Sequence, residues 1–200
     1  MRKTLKKQNR RRLNKAKAPK NSRKAGKNHF FVIAVSGTPG TGKSILSHFL
    51  SRTLTFHYAD VKQIIKKHKL SEGFDLKRDC LIVDTEKLSK VLISLIEGLK
   101  CSKKPKKGIV IDSHLSHFIP SEKADLCIVC TCALPILRKR LEKRGYSEAK
   151  VRENLESEIF EVCRSEALEK GHKILTLNSS LSKKEFLNAS LKAVKKELNL

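Results

Sequence analysis

Within nine residues, Ser36-Gly37-Thr38-Pro39-Gly40-Thr41-Gly42-Lys43-Ser44 holds three glycines, a lysine and hydroxyl side chains. The spacing from Gly37 to Ser44 matches G-x-x-x-x-G-K-[ST], and each position answers a physical demand of phosphate binding. Gly37, Gly40 and Gly42 let backbone N–H groups turn inward around an anion, where a Cβ would obstruct. A helix starting at Lys43 would bring its positive dipole end to the same anion. Lys43 would reach the β- and γ-phosphates, and the Ser44 hydroxyl would ligate Mg²⁺. The pattern alone is also compatible with a glycine-rich turn, so its flanks decide. Phe30 to Val35 is a short, β-branched apolar run, and Leu46, Phe49, Leu50 and Leu54 follow at helical spacing. Strand, glycine loop and helix form the context the motif requires.

A second chemical group lies downstream. Asp112 ends the apolar run Ile109-Val110-Ile111, so its carboxylate emerges at the C-terminal edge of a strand beside the phosphate loop. There it would hold Mg²⁺ through water, although an ordinary strand-end acid has the same local signature. His114, two residues on, points to the same side if the strand continues. A neutral imidazole at that place would orient or deprotonate an attacking water. The competing reading is a polar loop histidine.

The elements that must position these groups alternate in the βα manner. Phe56 to Tyr58 reads as a short strand, Asp60 to about His68 as a basic helix, and Ser71-Glu72-Gly73 as the break that ends it. Leu88, Val91, Leu92, Leu95 and Leu99 mark a third helix, followed by the lysine-rich loop 100–107. Ala124 to Cys132 reads as a strand, and Pro135 opens a helix to Arg144. After Gly145, Ser147 caps one longer helix with the stripe Val151, Leu155, Ile159 and Val162. Ile174 to Leu177 is a last strand, and Ser182 with Glu185 forms a capping box for a final helix. The expected fold is α/β: a P-loop NTPase with a doubly wound parallel sheet flanked by helices.

Charge divides the chain. Of 200 residues with a formal charge of +24, residues 1–28 carry thirteen Lys/Arg and no acid. Without an apolar face that segment reads as a disordered basic arm, leaving 29–200 as one domain. Such an arm attracts phosphate backbones by counterion release, and RNA is the polyanion it suits; a solubilising extension or a nuclear address is the plainer alternative. The run Phe30–Val35 is far short of the roughly 18 residues of a membrane span, so no membrane association is expected. Six cysteines without a secretory signal point to a reducing compartment, cytoplasmic or, in a eukaryotic host, nuclear. Cys127 and Cys130 on a strand face opposite ways, which favours buried small residues over metal ligands.

Several segments carry a resemblance in order and spacing. They are Gly37 to Ser44; Gly73 to Cys80 with Asp84; Asp112-Ser113-His114 followed by Phe118-Ile119-Pro120; Arg140 to Tyr146; and Asn154 to Phe160. Together they resemble the adenylate kinase isoenzyme 6 type, the small adenylate-kinase-like ATPases of archaea and eukaryotic nuclei. The resemblance spans about residues 30–198 and leaves the arm outside. It implies a nucleoside monophosphate kinase with ATPase activity that assists maturation of the small ribosomal subunit and rRNA processing, and that binds a small-subunit ribosomal protein. It further implies ATP contacts at Gly40, Gly42, Lys43, Ser44 and Ile45, catalytic roles for Lys43, Asp112 and His114, and a lid arginine at Arg144. Arg140 and Arg144 are four apart on one helical face, so both would grip triphosphate oxygens. About 58–83 would form the monophosphate-binding segment, with AMP or another monophosphate as acceptor, and about 143–153 a short lid. Thr131 and Lys62-Gln63 stand where family members often carry arginine, and lysine replaces its charge but not its fork. These departures put hydrolysis forward as the stronger activity. A nucleic-acid 5′-end kinase, or another P-loop small-molecule kinase with an RNA-binding arm, is the alternative reading.

Overall fold

In the computed structural model, which describes residues 29–76, 78–102 and 106–200, the apolar run Phe31–Ser36 forms strand β1, and all six residues are buried. A strand covered on both faces needs no polar alternation. Helix α1 (Lys43–Thr53) follows, then β2 (His57–Asp60), α2 (Val61–His68), a hairpin of β3 (Ser71–Asp75) and β4 (Cys80–Val83), and α3 (Thr85–Lys100). The second half runs β5 (Gly108–Asp112), β6 (Leu126–Thr131), α4 (Leu134–Glu142), α5 (Glu148–Ile159), α6 (Val162–Glu169), β7 (Ile174–Asn178) and α7 (Lys183–Leu198). The basic arm 1–28, Lys77 and residues 103–105 of the lysine loop lie outside the described residues.

The central sheet has the order β2-β5-β1-β6-β7, and every pairing in it is parallel. The connection after β1 leads toward β2, whereas the one after β5 leads toward β6. These neighbouring strands therefore open a crevice at their carboxyl ends, where ligands of such sheets bind. Val35 of β1 stands opposite Asp112 of β5 in the register.

The period-two side chains of the strands feed two cores. Ile33, Val35, Leu46, Leu50 and Val194 pack the sheet against α1 and α7. Val32, Ala34, Leu88, Leu92, Ile96 and Ala167 pack the other face against α3 and α6. Leu137, Leu141, Val151 and Leu155 form a third cluster that joins α4 to α5. Each fully buried aliphatic side chain contributes roughly 1.5–3 kcal/mol, so both sides of the phosphate loop rest on rigid layers. Asp60, Asp84 and Ser147 cap α2, α3 and α5, and Ser182 with Glu185 makes the expected capping box on α7.

Three sequence readings are corrected. Ser71-Glu72-Gly73 is part of strand β3 rather than a break, because the hairpin it forms with β4 supplies the pairing. The single helix expected after Ser147 is two: Glu161 takes a left-handed conformation (φ 49°) between α5 and α6, and the stripe residue Ile159 is left exposed. Strand β5 ends at Asp112, so His114 sits in a turn and not on a continuing strand. No helix among the described residues is long and apolar enough to cross a membrane.

Candidate active site

The phosphate loop leaves β1 at Ser36 and enters α1 at Lys43. Gly37 (φ 131°) and Gly40 (φ 92°) adopt conformations that favour glycine. They are also crowded: a Cβ would lie 2.3 Å from the Cys130 carbonyl oxygen at Gly37 and 2.8 Å from Leu137 Cδ1 at Gly40. Strand β6 and helix α4 thus press on the back of the loop. The Thr38 carbonyl gathers three donors: Thr41 N at 3.2 Å, Thr41 Oγ1 at 2.8 Å and Lys43 Nζ at 2.9 Å. Burial holds the Lys43 ammonium pKa below the usual lysine value, opposed by Cys130, Cys163 and Asp112. A desolvated cation satisfied only by a carbonyl of its own loop fits a phosphate, which would supply the missing negative charge.

Gly40, Gly42, Lys43, Ser44, Ile45, Arg140 and Arg144 all line one cavity of about 520 Å³. The structure therefore brings together the expected nucleotide-binding residues. The loop after β7 and the start of α7 close its far side with Ser179, Leu181, Lys183 and Phe186. The two arginines differ in what they do. Arg140 Nη1 donates to Ser179 Oγ (3.0 Å), Gly40 O (3.3 Å) and Cys132 Sγ (3.4 Å), and Nη2 donates to Ser179 O (2.9 Å). It braces the phosphate loop against β6 and the β7–α7 loop, a role that departs from the expected grip on a triphosphate. The Arg144 guanidinium is exposed and has no hydrogen-bond or ion-pair partner among the described residues.

Asp112 and His114 lie outside that cavity, at the end of β5 beside the loop. Asp112 is buried, with 7 % of its surface exposed, and its Oδ2 accepts a hydrogen bond from the Tyr58 hydroxyl at 3.0 Å. Burial first, then the Asp112 charge, push the Tyr58 pKa well above its ordinary value, so the hydroxyl stays a donor. The Tyr58 ring in turn stacks on His48 of α1, with centroids 4.0 Å apart. The Ser44 hydroxyl, exposed at the start of α1, and the Asp112 carboxylate are hard oxygen donors of the kind Mg²⁺ takes. Burial among neighbouring protein atoms, then the Lys43 charge, hold the His114 pKa down to about 4. The residue is itself exposed to water. Its imidazole is neutral at pH 7.

The expected lid and monophosphate segments meet across the site. Lys150 Nζ donates to the Arg78 carbonyl, and Arg78 pairs with Glu153 at 3.8 Å. A second cavity, of about 390 Å³, opens on the other side of Gly37 and Thr38 between β6 and α5–α6. Its charged groups are engaged with protein: Glu158 accepts from Cys132 N at 2.8 Å and Arg164 pairs with Glu161 at 2.9 Å. The cavity lined by Lys43, Arg140, Lys143 and Arg144 is the one whose chemistry matches an anion. Cys127 and Cys130 are buried on opposite faces of the sheet, and no group of three or more metal-ligating His, Cys, Asp or Glu side chains occurs among the described residues. Tyr58 escaped the sequence reading, since nothing local marks a strand tyrosine as the partner of an acid 54 residues away.

Known proteins share this layout. The AAA domain family matches residues 33–161. A relative from Methanocaldococcus jannaschii, provisionally named an adenylate kinase, is 38% identical over 146 residues, which is 73% of this chain and 77% of that one. The adenylate kinase isoenzyme 6 homolog of Caenorhabditis elegans is 34% identical over 137 residues, covering 68% and 72%. Among solved structures, TT1252 from Thermus thermophilus covers 85% of this chain and 98% of its own with a TM-score of 0.54 at 19% identity, a likeness of fold. A P-loop kinase-like fold, its loop and its relatives agree, and the chain belongs to the adenylate-kinase-like family that includes the isoenzyme 6 homolog.

Proposed function

We propose that this chain is an ATP-dependent nucleoside monophosphate kinase, with AMP or a related monophosphate as acceptor, that also hydrolyses ATP. The observation that carries the reading is the desolvated Lys43 ammonium at the mouth of a cavity lined by Gly40, Gly42, Ser44 and the unpartnered Arg144. In this reading backbone N–H groups of the loop and the α1 N-terminus bind the β- and γ-phosphates. Lys43 exchanges its Thr38 carbonyl for phosphate oxygens and stabilises the charge that develops on the transferred group. Ile45 borders the nucleotide, and Arg144 closes from the lid onto the triphosphate. Ser44 and, through water, Asp112 would hold Mg²⁺, which would supply neutralisation of phosphate charge when bound. Tyr58 fixes the Asp112 carboxylate. His114, neutral at pH 7, accepts a proton from, or orients, the water that attacks when no acceptor is present.

The resemblance drawn from the sequence motifs and the thirteen cations of residues 1–28 lead us to propose a wider setting: maturation of the small ribosomal subunit and rRNA processing, with a small-subunit ribosomal protein as partner and rRNA held by residues 1–28. Six cysteines that are all free suit a reducing compartment, cytoplasmic or nuclear.

Steady-state ATP turnover, measured with and without AMP and the other monophosphates, tests the reading. Stimulation by one monophosphate with formation of its diphosphate is expected, and Lys43→Ala should abolish both transfer and hydrolysis in a folded protein. Retained turnover in Lys43→Ala, or incorporation of phosphate into a 5′-hydroxyl oligonucleotide but no monophosphate, would replace it.

A further inference from the structure

Behind the phosphate loop, a chain of groups runs from the surface to the catalytic edge. Glu166 of α6 is partly exposed, and its Oε2 lies 2.9 Å from Nε2 of His117. His117 is fully buried, at 0 % exposure, and its Nδ1 lies 2.8 Å from Oγ of Ser36. Ser36, equally buried, reaches the carbonyl oxygen of His114 at 3.2 Å with the same hydroxyl. None of Glu166, His117 and Ser36 contributes to the phosphate cavity, and none has a role in the chemistry above.

A buried histidine is often just a satisfied core residue. Two features go beyond that here. Both ring nitrogens are engaged by side chains from different elements, Glu166 on α6 and Ser36 at the end of β1. The far end of the chain is the backbone of the residue assigned to the attacking water. Beside a carboxylate, Nε2 carries the ring proton and Nδ1 accepts from the Ser36 hydroxyl. The single hydroxyl hydrogen then lies between Nδ1 and the His114 carbonyl, and the Ser36 oxygen is pinned between the two. The turn is also held by backbone and local bonds: Ser113 N donates to Val35 O (3.2 Å), Leu115 N to Ser113 Oγ (3.0 Å) and Ser116 N to Ser113 O (3.2 Å), and Ser36 adds a side-chain contact to the His114 carbonyl. His117 itself is fixed from outside, since His172 Nε2 lies 2.9 Å from its carbonyl oxygen and Lys170 sits 4.3 Å over the ring of Phe118.

We propose that His117, its tautomer set by Glu166, is a positioning residue for His114: acting through the Ser36 hydroxyl, it fixes the turn that presents the His114 imidazole to water. The inference rests on the role given to His114 above. Through Glu166 it carries a contact of α6 to the turn that holds His114.

The test compares Ser36→Ala, His117→Gln, His117→Asn, the Ser36→Ala/His117→Gln double variant and His114→Ala. ATP hydrolysis and affinity for a non-hydrolysable ATP analogue are the readouts. Loss of one such hydrogen bond in the transition state corresponds to roughly a three- to tenfold fall in kcat. Ser36→Ala and His117→Gln should each show that fall, with KM for ATP and analogue affinity within about twofold of wild type. The double variant should be no worse than the weaker single, as groups acting in one chain are not additive. His117→Asn places an amide near the Nδ1 position, can still bond Ser36, and should recover most of kcat. Ser36→Ala changes one atom, so it keeps the test open if the His117 variants fold poorly. Wild-type kcat in folded Ser36→Ala, or kcat and KM moving together, overturns the inference. His114→Ala separates the two layers. If it stops hydrolysis while Ser36→Ala does not, only the positioning fails; if it leaves hydrolysis intact, the role of His114 itself fails.

Discussion

Arg140→Ala and Arg144→Ala should fail in different assays, although the two residues lie one helical turn apart in sequence. The Arg140 guanidinium donates to two groups of Ser179 at 2.9 and 3.0 Å and, at longer range, to Gly40 O and Cys132 Sγ. A hydrogen bond from a charged donor contributes roughly 1.5–3 kcal/mol. The site is half-buried, so the carbonyls released by truncation regain some water, and the two short bonds dominate the balance. A net loss of about 2–3 kcal/mol follows. At about 2–4 °C per kcal/mol for a domain of this length, the melting temperature should drop by roughly 5–10 °C. Nucleotide turnover should fall too, because Gly40 and the β7–α7 loop lose their brace. Arg140→Lys keeps the charge without the fork and should lie between wild type and alanine. Arg144 is exposed and unpartnered, so its truncation should leave the melting temperature within about 1 °C. If Arg144 grips the triphosphate as proposed, removing that charged donor should lower kcat by roughly 10²–10³. Thermal unfolding and initial rates on the same preparations decide the matter. Equal melting losses in both variants, or Arg140→Ala melting like wild type, would refute the division of labour.

Three further outcomes are expected. Tyr58→Phe leaves Asp112 Oδ2 without its donor and should raise the Mg²⁺ concentration for half-maximal hydrolysis by roughly tenfold; the Mg²⁺-dependent rise in melting temperature with ADP should weaken in parallel, and unchanged values would remove Tyr58 from that role. Burial holds His114 and His117 down to about 4 and lowers His172 as well, so below about 6.5 the unfolded chain binds protons that the native one does not, and stability should fall as pH drops from about 6.5 to about 4. Hydrolysis should persist below pH 6.5 and decline with an apparent pKa lower than the about 6.5 of an ordinary histidine; pH–rate and pH–melting series check both. Deleting residues 1–28 should leave ATP turnover near wild type while weakening binding to structured RNA, with a log–log salt slope shallower by roughly 0.7–0.9 per lost phosphate contact; an unchanged slope would reduce the arm to a solubilising extension or an address.

What the sequence disclosed follows the reach of each physical rule. The phosphate loop obeys a local grammar, so Gly37 to Ser44 and the strand and helix around it were readable, as was the capping box of Ser182 and Glu185. The hairpin was not: apart from Phe74 its β3 residues are polar or small, and the strand is mostly exposed, Phe74 included, so it lacks the alternation that marks a half-buried strand. The division of α5 from α6 rests on a left-handed Glu161, a conformation that sequence assigns to glycine or asparagine. Spacing placed Arg140 and Arg144 on one face and made them equivalent. Only the fold shows that the loop after β7 comes within reach of the first and leaves the second facing solvent. The same holds for Tyr58 with Asp112 and for Glu166, His117 and Ser36, whose partners lie 54, 49 and 81 residues apart. Side chains that would touch phosphate are thus announced by short motifs, because the anion constrains neighbouring residues directly. Those that hold the catalytic groups in place are chosen by packing between distant elements, and each can be altered without touching the motif it supports. That separation is why variants at Tyr58, Ser36 and Arg140 test the site more sharply than a further substitution in the loop.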